Sequence, residues 1–337
     1  MNNWKRFASL TLGLSLVAGL TACGGDEPAP AESTAPEASA PVESATPEAA
    51  FPFTLKTHMD MEVTFDHVPE KVIACNPNAG DQLMALGLGD KIIATAYNNS
   101  RVAPAYREEY ESKPAVAESY IPLETILDLE PDFCYGRSSS FSEKHNTTHD
   151  TLSSYGIMSL SSIEGYTLGA DIDVVYEDFY NLGRIFQVED KAEEIVSGMK
   201  AKVAAVEEAV ASEDVVKVLV YDMATEDGVY TCGDNFTSKL IAHAGGQNIF
   251  ADMEKTWASV SLEEIVERAP DVIVINDYGS IPLETKMSEL KDNPALADVP
   301  AIANDRIMSI PLAECFACSM TADTVEKFAQ FFHPDCF

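Results

Sequence analysis

The sequence predicts an α/β fold of two similar lobes joined by one long helix, and three observations carry that expectation. A block beginning Val72-Ile73-Ala74-Cys75 and continuing through Leu83, Ala85, Gly89 and Ile92 recurs at a constant offset. Its second copy is Val229-Tyr230-Thr231-Cys232 with Leu240, Ala242, Gly246 and Ile249. A second matched pair follows each copy, Leu123-Glu124-Thr125-Ile126-Leu127 before Pro131-Asp132-Phe133 and Leu262-Glu263-Glu264-Ile265-Val266 before Pro270-Asp271-Val272. Gap-free offsets over both blocks are hard to produce by chance and point to a duplicated unit. Between the copies, residues 172–212 are helical in pattern, lack proline and break near Gln187-Val188.

Taken in order, the chain opens with Lys5 and Arg6 before an apolar stretch at 7–22, the layout of a secretory signal and too short to span a bilayer comfortably. The stretch ends in Leu20-Thr21-Ala22-Cys23, which resembles a bacterial lipobox, where small residues admit the peptidase and the cysteine thiol accepts diacylglycerol. Residues 1–22 are therefore expected to be a lipoprotein signal peptide with lipidation at Cys23. Residues 23–52 are almost entirely Ala, Pro, Glu, Ser, Thr and Gly and are expected to be a disordered tether. Together they place the rest of the chain outside a membrane, on the periplasmic side or the outer face of the cell, held by acyl chains alone.

The expected organisation beyond the tether is an N-terminal α/β lobe at 53–187, a bridging helix at 188–212 and a C-terminal α/β lobe at 213–337. Each copy reads strand, polar loop, helix, short strand, then a helix closed by Pro-Asp and another apolar strand. Asp271-Val272-Ile273-Val274-Ile275-Asn276 is a β-branched run of the kind buried in a parallel sheet. A helix of about twenty residues spans roughly 30 Å and bridges two lobes stiffly. A hydrophobic content of 46% supports a real core. A formal charge of −33 excludes nucleic acid and anionic lipid surfaces as partners. An acidic surface for solubility explains it more simply than cation attraction does. Beyond Cys23 there remain Cys75, Cys134, Cys232, Cys315, Cys318 and Cys336, enough for disulfides in an exported chain. Cys75 and Cys134 lie in apolar, strand-like runs and read equally well as buried thiols.

These features resemble the solute-binding proteins of ABC importers for iron siderophores, haem and cobalamin. The marks are Val72-Ile73-Ala74 entering Asn76-Pro77, the Leu83-Met84-Ala85-Leu86-Gly87-Leu88-Gly89-Asp90-Lys91-Ile92-Ile93 run, the paired Leu-Glu-x-Ile…Pro-Asp segments and Gly245-Gly246-Gln247-Asn248-Ile249-Phe250. The resemblance implies two Rossmann-like α/β lobes on a single rigid backbone helix and a ligand cleft between them. It implies a monomer with no intrinsic cofactor, whose cargo is a ferric siderophore, haem or a corrinoid. It also implies a partner, an ABC permease dimer with its ATPase subunits, docked through one acidic residue per lobe. The matching positions are Glu124 and Glu263, with Glu264 as the substitute if the register slips. A pseudo-two-fold surface meeting a two-fold permease places one charge over each subunit, whereas the plainer reading is that both merely favour the helices they open.

Loops after the strands of such lobes face the cleft. In the first lobe this nominates Asn76, Asn78, Tyr97, Arg137, Ser138 and Phe141, with Arg137 able to grip a carboxylate, catecholate or phosphate. In the second it nominates Tyr221, Phe236, Trp257 and Tyr278, rings suited to flat, partly apolar chelates. Tyr230 belongs with them. Three other readings compete. A zinc or manganese binder needs several His and carboxylate ligands, of which His145 and His149, four apart, are the best half-site. An exported thiol oxidoreductase would use Cys315-Phe316-Ala317-Cys318, and a sensor or adhesin would keep the lobes without an importer. No catalytic triad, phosphate loop or paired catalytic carboxylates stand out, so an enzyme is not expected.

Overall fold

Successive residues of the first lobe's strands are apolar on both faces, as a sheet covered by helices on each side requires. The computed structural model describes residues 51–337. It begins with an antiparallel hairpin of β1 (Phe53–Lys56) and β2 (Glu62–Phe65). Next come β3 (Val72–Ala74), α1 (Pro77–Ala85), β4 (Ile92–Ala96), α2 (Arg107–Glu111), β5 (Ala115–Ala117), α3 (Leu123–Leu129), β6 (Phe133–Gly136), α4 (His149–Ser154) and β7 (Met158–Ser161). These five strands pair in parallel in the order β5-β4-β3-β6-β7. On β3, Val72 and Ala74 face the central core, whereas Ile73 packs on the outer side with Cys134 and Ile126. The signal stretch, Cys23 and the tether as far as residue 50 lie outside the described residues. Phe51, within the expected tether, already packs on Phe53 with ring centroids 5.3 Å apart.

Helix α5 (Asp173–Phe186) stops where Gln187 turns left-handed, with a φ of 56°, and α6 (Glu189–Val210) follows. Its buried residues Ala192, Val196, Met199, Val203, Val206 and Val210 recur every three or four positions and form one apolar stripe. With 22 residues, α6 extends for roughly 33 Å.

The second lobe comprises β8 (Val216–Tyr221), β9 (Met223–Thr225), β10 (Gly228–Cys232), α7 (Phe236–His243), β11 (Gly246–Asn248), β12 (Trp257–Ser261), α8 (Leu262–Arg268), β13 (Val272–Asp277), α9 (Leu283–Lys291), α10 (Pro300–Ala303), β14 (Ile307–Pro311) and α11 (Thr321–Phe332). Its parallel sheet runs β11-β8-β13-β14, matching the first lobe's order without an equivalent of β5. The stripe of α6 joins residues of both lobes in one central core.

One sequence expectation needs correcting. Val229-Tyr230-Thr231-Cys232 lies on β10, in a separate antiparallel sheet of order β12-β10-β9, and is not the counterpart of β3. That counterpart is β8. The subsequent helices do correspond, since Leu83 on α1 and Leu240 on α7 are both fully buried. The strands β9 and β10 are inserted between β8 and α7. An apolar, β-branched run reads alike in either sheet, because composition reports burial and not the direction of pairing.

Candidate ligand-binding site

Ligands of open parallel sheets sit beyond the carboxyl ends of strands, where the strand order reverses. In the first lobe that point lies between β3 and β6, and in the second between β8 and β13. The loops leaving these strands surround a cavity of about 490 Å³ lined from both lobes.

The first lobe contributes Asn76 and Asn78 after β3, Tyr97, Asn99 and Ser100 after β4, Tyr120 before α3, and Arg137 and Ser139 after β6. Asn76 Nδ2 donates to Ser140 Oγ at 3.4 Å, while its buried Oδ1 has no partner among the described residues. Tyr97 adopts a φ of 52°, uncommon for a residue with a side chain, and its ring stacks on Tyr120 at 5.2 Å and 20°. A Cβ on Gly136 would lie 2.6 Å from the Cβ of Cys75, so the ends of β3 and β6 approach too closely for a side chain there.

The second lobe contributes Asp222 after β8, Tyr230 on β10, Trp257 on β12, Tyr278 after β13, and Leu312, Ala313 and Phe316 after β14. Trp257 and Tyr230 stack at 6.0 Å and 17°. Asp222 accepts Asn276 Nδ2 on Oδ1 at 2.9 Å and the Tyr278 hydroxyl on Oδ2 at 2.7 Å. Burial, and then the bond to Asp222, push the Tyr278 pKa up, so this hydroxyl remains a donor. Behind them Lys286 donates to the Asn276 carbonyl at 2.6 Å. Burial lowers its pKa against the pull of Asp222, Asp277 and Glu289.

Arg137 spans the lobes. Its guanidinium lies 3.8 Å from the centre of the Phe316 ring and 3.2 Å from Glu164 Oε1. Burial raises the Glu164 pKa, opposed by Arg137 and by the amide of Ala317. Beneath the cavity the segment after β14 is fastened to the first lobe. Asn78 and Gln82 side-chain amides donate to the Ala317 carbonyl at 3.4 and 3.2 Å, Ser319 N donates to Asp81 Oδ2 at 2.6 Å, and Ala313 N donates to Ser100 Oγ at 3.0 Å. Gly279 N adds a bond to the Asn99 carbonyl at 3.1 Å.

Of the sequence-predicted residues, the structure brings Asn76, Asn78, Tyr97, Arg137, Tyr230, Trp257 and Tyr278 to this cavity. Four others lie elsewhere. Tyr221 precedes Asp222 by one residue, so the pleat turns it to the opposite face, where its hydroxyl donates to Glu289 at 2.5 Å. Phe236 is buried in the central core, and Phe141 in the first lobe's outer core against His149. Ser138 donates to the Gly165 carbonyl, leaving Ser139 on the cavity. Sequence reasoning missed Ser100, Tyr120, Asp222, Leu312, Ala313 and Phe316. Asp222 was reachable by the strand-end rule once β8 is the parallel strand, whereas Tyr120 and Phe316 arrive from loops without a local signal.

Glu124 and Glu263 occupy the first turns of α3 and α8 and are exposed. Neither side chain forms a hydrogen bond or ion pair with a described residue. Glu264 instead closes a capping box with Ser261 and is engaged within its own helix.

The competing chemistries find less support. Among the described residues, no group of three or more His, Cys, Asp or Glu side chains could hold a metal ion. His145 ends a short turn at Glu143–His145, Asn146 follows with a φ of 55°, and His149 opens α4, so the two histidines do not share a helix face. All six described cysteines are free thiols. Burial pushes Cys315 and Cys318 up, the reverse of what thiolate exchange needs. No helix among the described residues is long and apolar enough to cross a membrane.

The family model described as periplasmic binding protein matches residues 72–313. A Bacillus subtilis protein named an uncharacterized ABC transporter substrate-binding lipoprotein is 25% identical over 291 residues, covering 85% of this chain and 87% of its own length. A cobalamin-binding protein of Halobacterium salinarum is 29% identical over 272 residues, covering 80% of this chain and 68% of its own. Among solved structures, a periplasmic binding protein from Veillonella parvula matches with a TM-score of 0.76 at 24% identity, over 84% of this chain and 97% of that one. The structure of an ABC-type Fe3+-hydroxamate transport system from Saccharomonospora viridis matches with a TM-score of 0.72 at 25% identity, over 84% of this chain and all of the other. With two lobes on one helix and a match extending over most of both, the chain belongs to the periplasmic binding protein family, which supplies ABC importers with solute-binding components and not enzymes.

Proposed function

We propose that this protein is an extracytoplasmic lipoprotein that captures a metal chelate for an ABC importer, a corrinoid being the favoured cargo. The observation that carries this reading is the ring of aromatic side chains around the cavity, Tyr97, Tyr120, Tyr230, Trp257, Tyr278 and Phe316. Such rings suit a broad, partly apolar macrocycle. Asn76, Asn78 and Arg137 supply amide and guanidinium groups for its polar rim, and Asn76 Oδ1 still lacks a donor. The cobalamin-binding relative supports the corrinoid, and the hydroxamate-system neighbour makes a ferric hydroxamate the second reading. Haem, with two carboxylates, would ask for more cations than the walls carry. Cys23 is the proposed anchor. Glu124 and Glu263, exposed on corresponding helices, are the proposed contacts to permease arginines.

Thermal unfolding of the purified full chain with cyanocobalamin, ferrioxamine B, haem, zinc and manganese tests the cargo, because a tight ligand raises the midpoint by mass action. The corrinoid is expected to give the largest rise, and a rise with zinc or manganese alone would overturn the assignment. The double variant Glu124→Ala/Glu263→Ala should bind as before and lose uptake. Full uptake by that variant would remove the docking role.

A further inference from the structure

The charge of the cleft says more about its cargo than its shape does. The cation of the first wall, Arg137, faces the buried carboxylate of Glu164 at 3.2 Å, so the pair contributes little net charge. Across the cavity stands Asp222, only 4% exposed, with its two oxygens held by neutral donors, Asn276 Nδ2 and the Tyr278 hydroxyl. Neutral donors fix the carboxylate in place without cancelling its charge, and among the described residues it forms no ion pair. The ammonium of Lys286, behind this wall, donates to the Asn276 carbonyl and is shared among Asp222, Asp277 and Glu289, one cation against three carboxylates. Because Tyr278 points its proton at Asp222, the phenol turns only lone pairs to the cavity. A ligand approaching this wall therefore meets acceptors and a negative potential.

We propose that the Asp222–Tyr278 pair makes the cleft select chelates that are uncharged or cationic on the face turned to the second lobe, and reject anionic ones. This inference rests on the metal-chelate reading. Amide N–H groups, ammonium groups or metal-bound water complete the wall's hydrogen bonds, whereas a free carboxylate or catecholate leaves two negative groups facing each other at low dielectric.

The test compares chelates of one shape and different charge on the purified full chain, using quenching of tryptophan fluorescence and calorimetry. The probes are aquocobalamin (cationic), cyanocobalamin (neutral) and a cyanocobalamin monocarboxylate (anionic), together with cationic ferrioxamine B and its anionic N-succinyl derivative. Within whichever class binds, the anionic member is expected to have a Kd higher by about tenfold or more. Asp222→Asn, which can still accept from Asn276, should bring that ratio close to unity. Glu164→Gln, which frees Arg137, should lower the same ratio independently and serves if the first variant does not fold. Equal wild-type affinities, a ratio unchanged in a folded Asp222→Asn, or, where that variant does not fold, a ratio unchanged in Glu164→Gln would overturn the inference and leave the chelate reading intact. Failure of the wild type to bind any corrinoid or hydroxamate would instead remove the chelate reading, and this inference with it.

Discussion

His149 is held neutral by its surroundings. Its ring lies 2.7 Å from Ser159 Oγ and 2.9 Å from Ser161 Oγ, packed against Phe141. Burial, with neighbouring His58, lowers its pKa to about 4. The unfolded chain takes up this proton near the ordinary value of about 6.5, so its contribution to stability is fully present above that pH and is lost as the pH falls towards 4. The linkage amounts to at most about 3 kcal/mol. His149→Gln should therefore show a shallower decline in stability between pH 6.5 and 4.5 than the wild type, as measured by denaturant melts at several pH values; parallel slopes would refute it. The same scale shows where sequence reading reaches its limit. Asn76, Tyr97 and Arg137 are legible because each follows a strand in the chain itself. Sequence favours Tyr221 over Asp222 because an aromatic ring resembles a ligand contact, yet a strand alternates its faces with every residue, and only the position of α9 reveals which face is covered.

At the level of elements, the long helix is legible from the absence of proline, the run of good helix formers and the break at Gln187-Val188, all local properties of the chain. The inserted β9 and β10 escape because their pairing depends on residues far along the chain, with Cys232 opposite Trp257. Matching α3 to α8 succeeds for the reason matching β3 to β10 fails: a helix records its own period, whereas a strand records only that it is covered. Within α6, Gly198 is exposed and nothing lies within 4 Å of the Cβ it lacks. Gly198→Ala should stabilise the protein by about 0.5–1 kcal/mol by reducing the freedom of the unfolded backbone. That corresponds to a rise of about 1–3 °C in Tm by calorimetry. A lower Tm would mean that this turn is not regular helix.

For the whole molecule, the excess of 55 acidic over 22 basic side chains sets up self-repulsion that the fold must withstand. Raising sodium chloride from about 0.01 M to about 1 M shortens the screening length from roughly 30 Å to 3 Å. The melting temperature should climb steadily over that range, and a flat or falling profile would show that specific ion pairs outweigh the net charge. Composition makes this charge legible, but not how it is distributed, which depends on the lobes facing each other. The bonds from Asn78, Gln82, Asp81, Ser100 and Asn99 to the far lobe give the two halves a second seam besides the long helix. A molecule sewn along two lines behaves as a firm cup more than as jaws. Little of the recognition energy is consumed in reshaping it, and emptying it requires an outside force that unpicks the stitching.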